Sequence, residues 1–243
     1  SMRLLDVRHE QTAVFAAEAT GKLTRTPGLA VLTAGPGVTN GISAITQAHF
    51  SGSPLVVLGG RAATYSWGRG ALQELDHPSL LGPVTKRAAT IGSVDKIADE
   101  VDDAFRLAAA PHRGPVLLDV PMDELYGDAE GRPVTAGETL PSPPDAGDVD
   151  TIARLLAAAE RPLVVLGTDV WSDRAETAAL RFVTDLGLPT ITNGLGRGIV
   201  PGGHELLVAR ARRTAVGECA PAANSTPEAP GHRLESTPSN NPP

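Results

Sequence analysis

Short apolar runs alternate with helical spacings along the first half of this chain. Leu29–Thr33 (LAVLT), Leu55–Gly59 (LVVLG) and Val116–Val120 (VLLDV) are nearly continuous, as strands buried on both faces are. Between them, Glu10–Thr20, Thr39–Phe50 and Val94–Ala110 carry helical patterns. The last of these sets apolar residues three and four apart, with acids on the other face. A strand–helix–strand series of this kind predicts an α/β fold with a parallel sheet covered on both sides. The chain opens directly on Leu4-Leu5-Asp6-Val7, which reads as a strand met in mid-domain, so the first domain is expected to be incomplete at its N-terminus.

The pattern lapses from Tyr126 to Asp150, where Gly, Pro and acidic residues dominate, and this segment reads as a linker. A second series follows: a helix over Val149–Glu160, a strand over Leu163–Leu166, a helix over Ala175–Leu186, a strand near Thr190–Thr192 and a last helical piece over His204–Thr214. Two strands are few for a sheet that stands alone, so this is expected to be the first half of a Rossmann-like domain. Gly217–Pro243 has one large aliphatic residue, Leu234, among Pro, Ser, Asn and Glu, and is expected to be disordered. The expected division is therefore 1–125, a linker at 126–148, 149–216 and a tail at 217–243.

Composition narrows the function classes. Of the 243 residues 41% are hydrophobic but only 3% aromatic, so the core must be built from Ala, Val, Leu and Ile. A net charge of −7 offers no basic footprint for nucleic acid. No apolar run reaches the roughly 20 residues of a membrane helix, and no signal peptide opens the chain. The single cysteine, Cys219, excludes an intramolecular disulfide. A cytoplasmic protein without membrane or nucleic-acid partners is the expectation.

Three segments carry candidate chemistry. Glu10, in Arg8-His9-Glu10-Gln11, follows an apolar stretch and opens a helix; a lone Glu there is most simply an acid favoured by the helix dipole. Thr33-Ala34-Gly35-Pro36-Gly37-Val38-Thr39-Asn40 joins a strand to a helix. It lacks the Gly-Lys-Ser/Thr of a Walker loop and the Gly-x-Gly-x-x-Gly spacing of a dinucleotide turn, which also removes an NAD(P) dehydrogenase. Gln73 lies in Gly70-Ala71-Leu72-Gln73-Glu74, by itself an ordinary polar loop. The six histidines show no metal-ligand spacing; surface or loop roles are expected for them, and no protein-coordinated metal.

Taken together, these segments and their order resemble the pyrimidine-binding half of thiamine-diphosphate enzymes, most closely acetolactate synthase large subunits. Pro83-Val84-Thr85-Lys86 and Gly114-Pro115-Val116-Leu117-Leu118-Asp119-Val120-Pro121 continue the likeness, and it runs from about Leu4 to Val216. It implies that residues 1–125 form the pyrimidine-binding domain and that Glu10 hydrogen-bonds N1′ of the aminopyrimidine, favouring the imino form that takes the C2 proton of the thiazolium. It implies that Thr33, Pro36, Gly37 and Asn40 line the ring and that Gln73 reaches the reacting centre. Gly167, Thr168, Ile191, Thr192 and Asn193 match flavin-lining positions of the central domain, and Arg113 a flavin-contacting arginine. FAD or ADP is implied there, with Mg²⁺ held by a C-terminal domain this sequence does not contain.

The resemblance implies a homodimer that decarboxylates a 2-oxo acid such as pyruvate and joins it to a second one, in branched-chain amino acid biosynthesis. Two departures bear on the substrate: Leu72 stands where the pattern has Phe, and Met122 where it has Lys. A related thiamine-dependent lyase or decarboxylase is one alternative. Another is a non-catalytic truncated module, because a diphosphate without Mg²⁺ ligands and donors loses most of its binding energy.

Overall fold

A computed structural model describes residues 3–130 and 143–208. The expected disordered tail and residues 131–142 of the expected linker lie outside them, as does Cys219.

Helix α1 (Glu10–Thr24) leads through a left-handed Arg25 into strand β1 (Gly28–Leu32). The short link makes α1 run back against β1, which brings Glu10 to the carboxyl edge of the sheet. Two helices follow, α2 (Pro36–Asn40) and α3 (Ile42–Ser51), then β2 (Leu55–Arg61) and α4 (His77–Leu81). β3 (Arg87–Thr90), α5 (Ile97–Ala109), β4 (Pro115–Pro121) and α6 (Met122–Leu125) complete the first unit. The four strands are parallel in the order β1-β2-β4-β3.

The core follows from the period-2 alternation of the two central strands. Leu55, Val57 and Leu117 point to one face, where they pack with Val14 and Ala17 of α1, Ala44, Ile45 and Ala48 of α3 and Leu81 of α4. Val56, Val116, Leu118 and Val120 point to the other, against Ala104 and Ala108 of α5 and Ile91. Both faces are covered, which is why these strands read as unbroken apolar runs. α1 lies hard on the sheet: a Cβ on Gly28 would stand 1.9 Å from the carbonyl oxygen of Ala17.

The second unit comprises α7 (Ala146–Ala158), β5 (Val164–Leu166), α8 (Thr168–Ser172), α9 (Glu176–Asp185) and β6 (Thr190–Thr192), with β5 and β6 parallel. Asp145 caps α7 by accepting from the backbone N–H groups of Gly147 and Asp148, so this helix starts within the segment expected as linker. Leu166, Val183, Leu188, Ile199 and Val200 form its small core. Contacts around Arg25 and Arg113 join it to the first unit. Arg25 stacks 3.7 Å over the ring of Trp171 and ion-pairs with Glu176, while Trp171 Nε1 donates to the carbonyl of Lys22 at 3.3 Å. Arg113 pairs with Asp173 at 2.7 Å.

Several expectations need correction. Leu4–Val7 is not a strand: no strand among the described residues pairs with it, and Leu4 is 85% exposed. The helix expected over Thr39–Phe50 is two helices broken at Gly41, because α2 and α3 leave the turn separately. His204–Val208 is not helical; it lies beside β6, where Thr190 donates to the carbonyl of Leu206 and accepts from Val208. The remainder of that expected helix, Ala209–Thr214, falls outside the described residues. β3 was not expected at all.

Candidate functional site

Ligands of open parallel sheets bind outside the carboxyl ends of the strands, and the sequence-nominated residues of the first unit gather there. His9 caps α1 with its Nδ1, which accepts from the backbone N–H of Gln11 at 3.1 Å. This fixes Glu10 as the first helical residue. From the other side, β1 ends at Leu32 and the chain turns through Thr33–Gly35 into α2, ending in Asn40. Asn40 Nδ2 donates to Glu10 Oε2 at 3.1 Å. The carboxyl of Glu10 is held below its ordinary value, first by a backbone N–H at the helix start, then by the Asn40 bond, with His9 adding a smaller effect. Glu10 therefore presents an ionised, acceptor-only carboxylate near neutral pH.

The turn beneath it is tight by necessity. Gly35 adopts a positive φ of 56°, which L side chains rarely adopt. A Cβ on Gly37 would stand 2.4 Å from Thr33 Cγ2 and 3.7 Å from Glu10 Oε1, so glycine lets the Thr33 methyl pack against the turn beside the carboxylate. Gln73, itself left-handed at φ 61°, packs its backbone against Gly35: a Cβ there would meet Gln73 Cβ at 2.9 Å and its carbonyl oxygen at 3.0 Å. Glu10, Thr33, Gly37, Asn40, Gln73 and the preceding Leu72, 88% exposed, thus share one edge of the sheet. Pro36 is the first residue of α2 and is exposed.

The second group is also brought together, in the second unit. Gly167 caps α8, Thr168 Oγ1 accepts from the backbone N–H of Leu195 at 3.4 Å, and the N–H of Asn193 donates to the carbonyl of Leu166 at 2.9 Å. Ile191 and Thr192 pair with Val165 and Leu166 in the β5–β6 ladder. Arg113 does not stand free beside them; its guanidinium is committed to Asp173, just after α8.

Three polar residues of this edge escaped the sequence reading. His77 was expected in a surface or loop role, yet it is fully buried, with Nε2 accepting from the backbone N–H of Gly35 at 3.1 Å. Its Nδ1 lies 3.1 Å from Oδ2 of the equally buried Asp119, and Arg61 Nη1 reaches the same oxygen at 3.0 Å. The available signal was Asp119 itself, an acid in the middle of an apolar strand, which requires partners.

A parallel sheet with a carboxylate over a Gly-Pro-Gly turn at its carboxyl edge defines a class that the family comparison identifies. The chain matches the thiamine pyrophosphate enzyme N-terminal TPP binding domain over residues 1–80 and the thiamine pyrophosphate enzyme central domain over residues 149–225, and it belongs to that family. Among curated proteins it is 47% identical over 220 residues to the acetolactate synthase large subunit IlvG of Mycobacterium tuberculosis, covering 89% of this chain and 40% of that protein. A probable acetolactate synthase of Mycobacterium bovis matches equally. Human 2-hydroxyacyl-CoA lyase 2 is 33% identical over 252 residues, covering 88% of this chain and 40% of that protein. The chain thus spans about two fifths of the length of these relatives. No helix among the described residues is long and apolar enough to cross a membrane.

Proposed function

We propose that this chain supplies the aminopyrimidine side of a thiamine diphosphate site in an acetolactate-synthase-like carboligase. The observation that carries the proposal is the Glu10–Asn40 pair closed at 3.1 Å over the Gly35–Gly37 turn. The donor set fits the ring: an ionised carboxylate that can accept from N1′–H, with the backbone of the Gly35–Gly37 turn beside it. When bound, the cofactor supplies a nucleophilic thiazolium carbon for attack on a 2-oxo acid. Glu10 would accept a hydrogen bond from N1′–H and so favour the proton on the ring nitrogen, as the imino form requires, Asn40 keeps the carboxylate turned towards the turn, and Thr33 and Pro36 would flank the ring. Gln73 contacts the substrate end, and pyruvate is the proposed 2-oxo acid.

The finer parts of the proposal rest on the family resemblance. Residues 1–125 act as the pyrimidine-binding domain and 149–216 as part of the central domain, joined by 126–148. Mg²⁺ enters with the diphosphate on a further domain, and FAD or ADP lies against Gly167, Thr168, Ile191, Thr192 and Asn193, with Arg113 at its edge. A homodimer through the pyrimidine domain and a cytoplasmic location complete it. The 47% likeness to an acetolactate synthase, against 33% to a 2-hydroxyacyl-CoA lyase, favours carboligation over lyase activity.

The test mixes this chain with the separately expressed C-terminal portion of the 47%-identical relative, thiamine diphosphate, Mg²⁺ and FAD. Acetolactate formed from pyruvate, and lost with Glu10→Gln, supports the proposal. Cleavage of a 2-hydroxyacyl-CoA with no acetolactate replaces it with a lyase. No turnover of either substrate, with the partner portion shown active beside its own N-terminal half, makes this a non-catalytic module.

A further inference from the structure

A second polar arrangement lies beneath the Glu10–Asn40 pair and is joined to it through Gly35. A ring nitrogen that accepts a backbone N–H carries no proton, so the Gly35 bond fixes the His77 proton on Nδ1, facing Asp119 Oδ2. Asp119 is anchored by Arg61, whose guanidinium is itself covered by the Trp67 ring at 3.5 Å. Asp119 Oδ1 is buried without a donor among the described residues. Burying an imidazole, a carboxylate and most of a guanidinium merely to fill space costs more than burying a leucine. What the arrangement accomplishes is geometric. It draws on Arg61, the last residue of β2, on Asp119 within β4, on the first residue of α4, and on the one N–H that begins the Gly35–Gly37 turn.

His77 also stands four residues after Gln73, on the segment whose backbone packs against Gly35. One hydrogen bond therefore registers two site segments against each other: the turn that carries Gly37 under Glu10, and the left-handed loop that carries Gln73. We propose that His77, held as its Nδ1–H tautomer by Asp119 and Arg61, is the positioning residue that sets the height of the aminopyrimidine turn relative to the Gln73 loop. The inference rests on the thiamine diphosphate reading of the site, and it assigns to His77 no contact with cofactor or substrate.

The test uses the full chain, isotopically labelled, as wild type and as His77→Leu, His77→Gln and Leu81→Ala, each mixed for the binding measurements with the separately expressed C-terminal portion of the 47%-identical relative. Gln can accept from Gly35 and donate to Asp119, whereas Leu can do neither. Leu81 lies on the same helix, within the core, and controls for lost stability alone. The wild-type ring should show the Nδ1–H tautomer in its nitrogen chemical shifts. His77→Leu should speed exchange of the Gly35 amide and weaken calorimetric binding of thiamine diphosphate with Mg²⁺ about tenfold, as expected for one lost buried bond. His77→Gln should recover most of both, and Leu81→Ala should lower the melting temperature while leaving affinity unchanged. An Nε2–H tautomer, unchanged affinity in His77→Leu, or equal losses in His77→Leu and Leu81→Ala each overturn the inference. Failure of the wild type itself to bind removes the cofactor reading and this inference with it. Wild-type binding that His77→Leu leaves intact removes this inference alone.

Discussion

Gly37→Ala adds one methyl group at the point where the turn and the carboxylate come closest. The new Cβ would stand 2.4 Å from Thr33 Cγ2 and 3.3 Å from Thr33 Cβ. Thr33 is β-branched and stiff at χ1, so relief requires it to leave its rotamer or α2 to shift. Such overpacking costs about 1–3 kcal/mol. Replacing a helical Gly by Ala returns at most about 0.5–1 kcal/mol. The net expectation is a loss of about 0.5–2 kcal/mol, read as a lower urea midpoint at unchanged slope. Thr33→Ser, placed on the Gly37→Ala background, removes the clashing Cγ2 and should restore most of the lost stability as a non-additive pair. Affinity for thiamine diphosphate should stay low in the double variant, because the added methyl remains in contact with the Glu10 carboxylate, 3.7 Å from Oε1. A Gly37→Ala midpoint equal to wild type, or a double variant no more stable than the single, would refute the packing argument. Recovered affinity in the double variant would refute the claim that this turn borders the bound ring.

Two further outcomes follow from the core and from charge. Leu117→Ala empties a site packed by α1 and α3 on one face of the sheet and should cost about 2–5 kcal/mol by equilibrium unfolding; a loss under 1 kcal/mol would show that the two-faced core is wrong. Glu176 has its carboxyl held below the ordinary value of 4.5, first by a backbone N–H at the start of α9 and then by Arg25. A depressed folded-state value stabilises above the unfolded one and is lost as pH falls through the folded one. Melting temperature should therefore drop as pH falls below about 4.5, less steeply in Glu176→Gln; identical slopes would remove Glu176 from the linkage.

What was legible in the sequence was what local pattern controls. β1, β2 and β4 announced themselves because strands buried on both faces need unbroken apolar runs. β3 did not, because Arg87-Ala88-Ala89-Thr90 is a half-buried edge segment, and pairing with β4 rather than hydrophobicity makes it a strand. Gly41 breaks the Thr39–Phe50 helix where a side chain would press on Leu32 Cδ1 at 2.9 Å and Val14 Cγ2 at 3.1 Å, an approach set by tertiary packing. Leu206-Leu207-Val208 has helical residues but lies against β6, whose free edge needs partners more than the segment needs a helix.

The site divides along the same line. Glu10 and Asn40 are thirty residues apart in sequence and are joined in the fold by a 3.1 Å hydrogen bond. Gln73 was nominated from its motif, but its contact with Gly35 depends on a left-handed backbone that no pattern in Ala71-Leu72-Gln73 signals. His77 was set aside with the other histidines because burial of an imidazole is a property of the fold, and only Asp119 within its apolar strand hinted at it.

The most direct test of the central claim is calorimetric titration of thiamine diphosphate and Mg²⁺ into the purified chain mixed with the separately expressed C-terminal portion of the 47%-identical relative, with Glu10→Gln titrated alongside. The account predicts saturable binding that weakens when the Glu10 carboxylate becomes an amide, since the amide replaces a charge-assisted acceptor with a neutral one. Equal affinity of the two mixtures, or no heat of binding from a folded wild-type mixture whose C-terminal portion binds the cofactor beside its own N-terminal half, would contradict it.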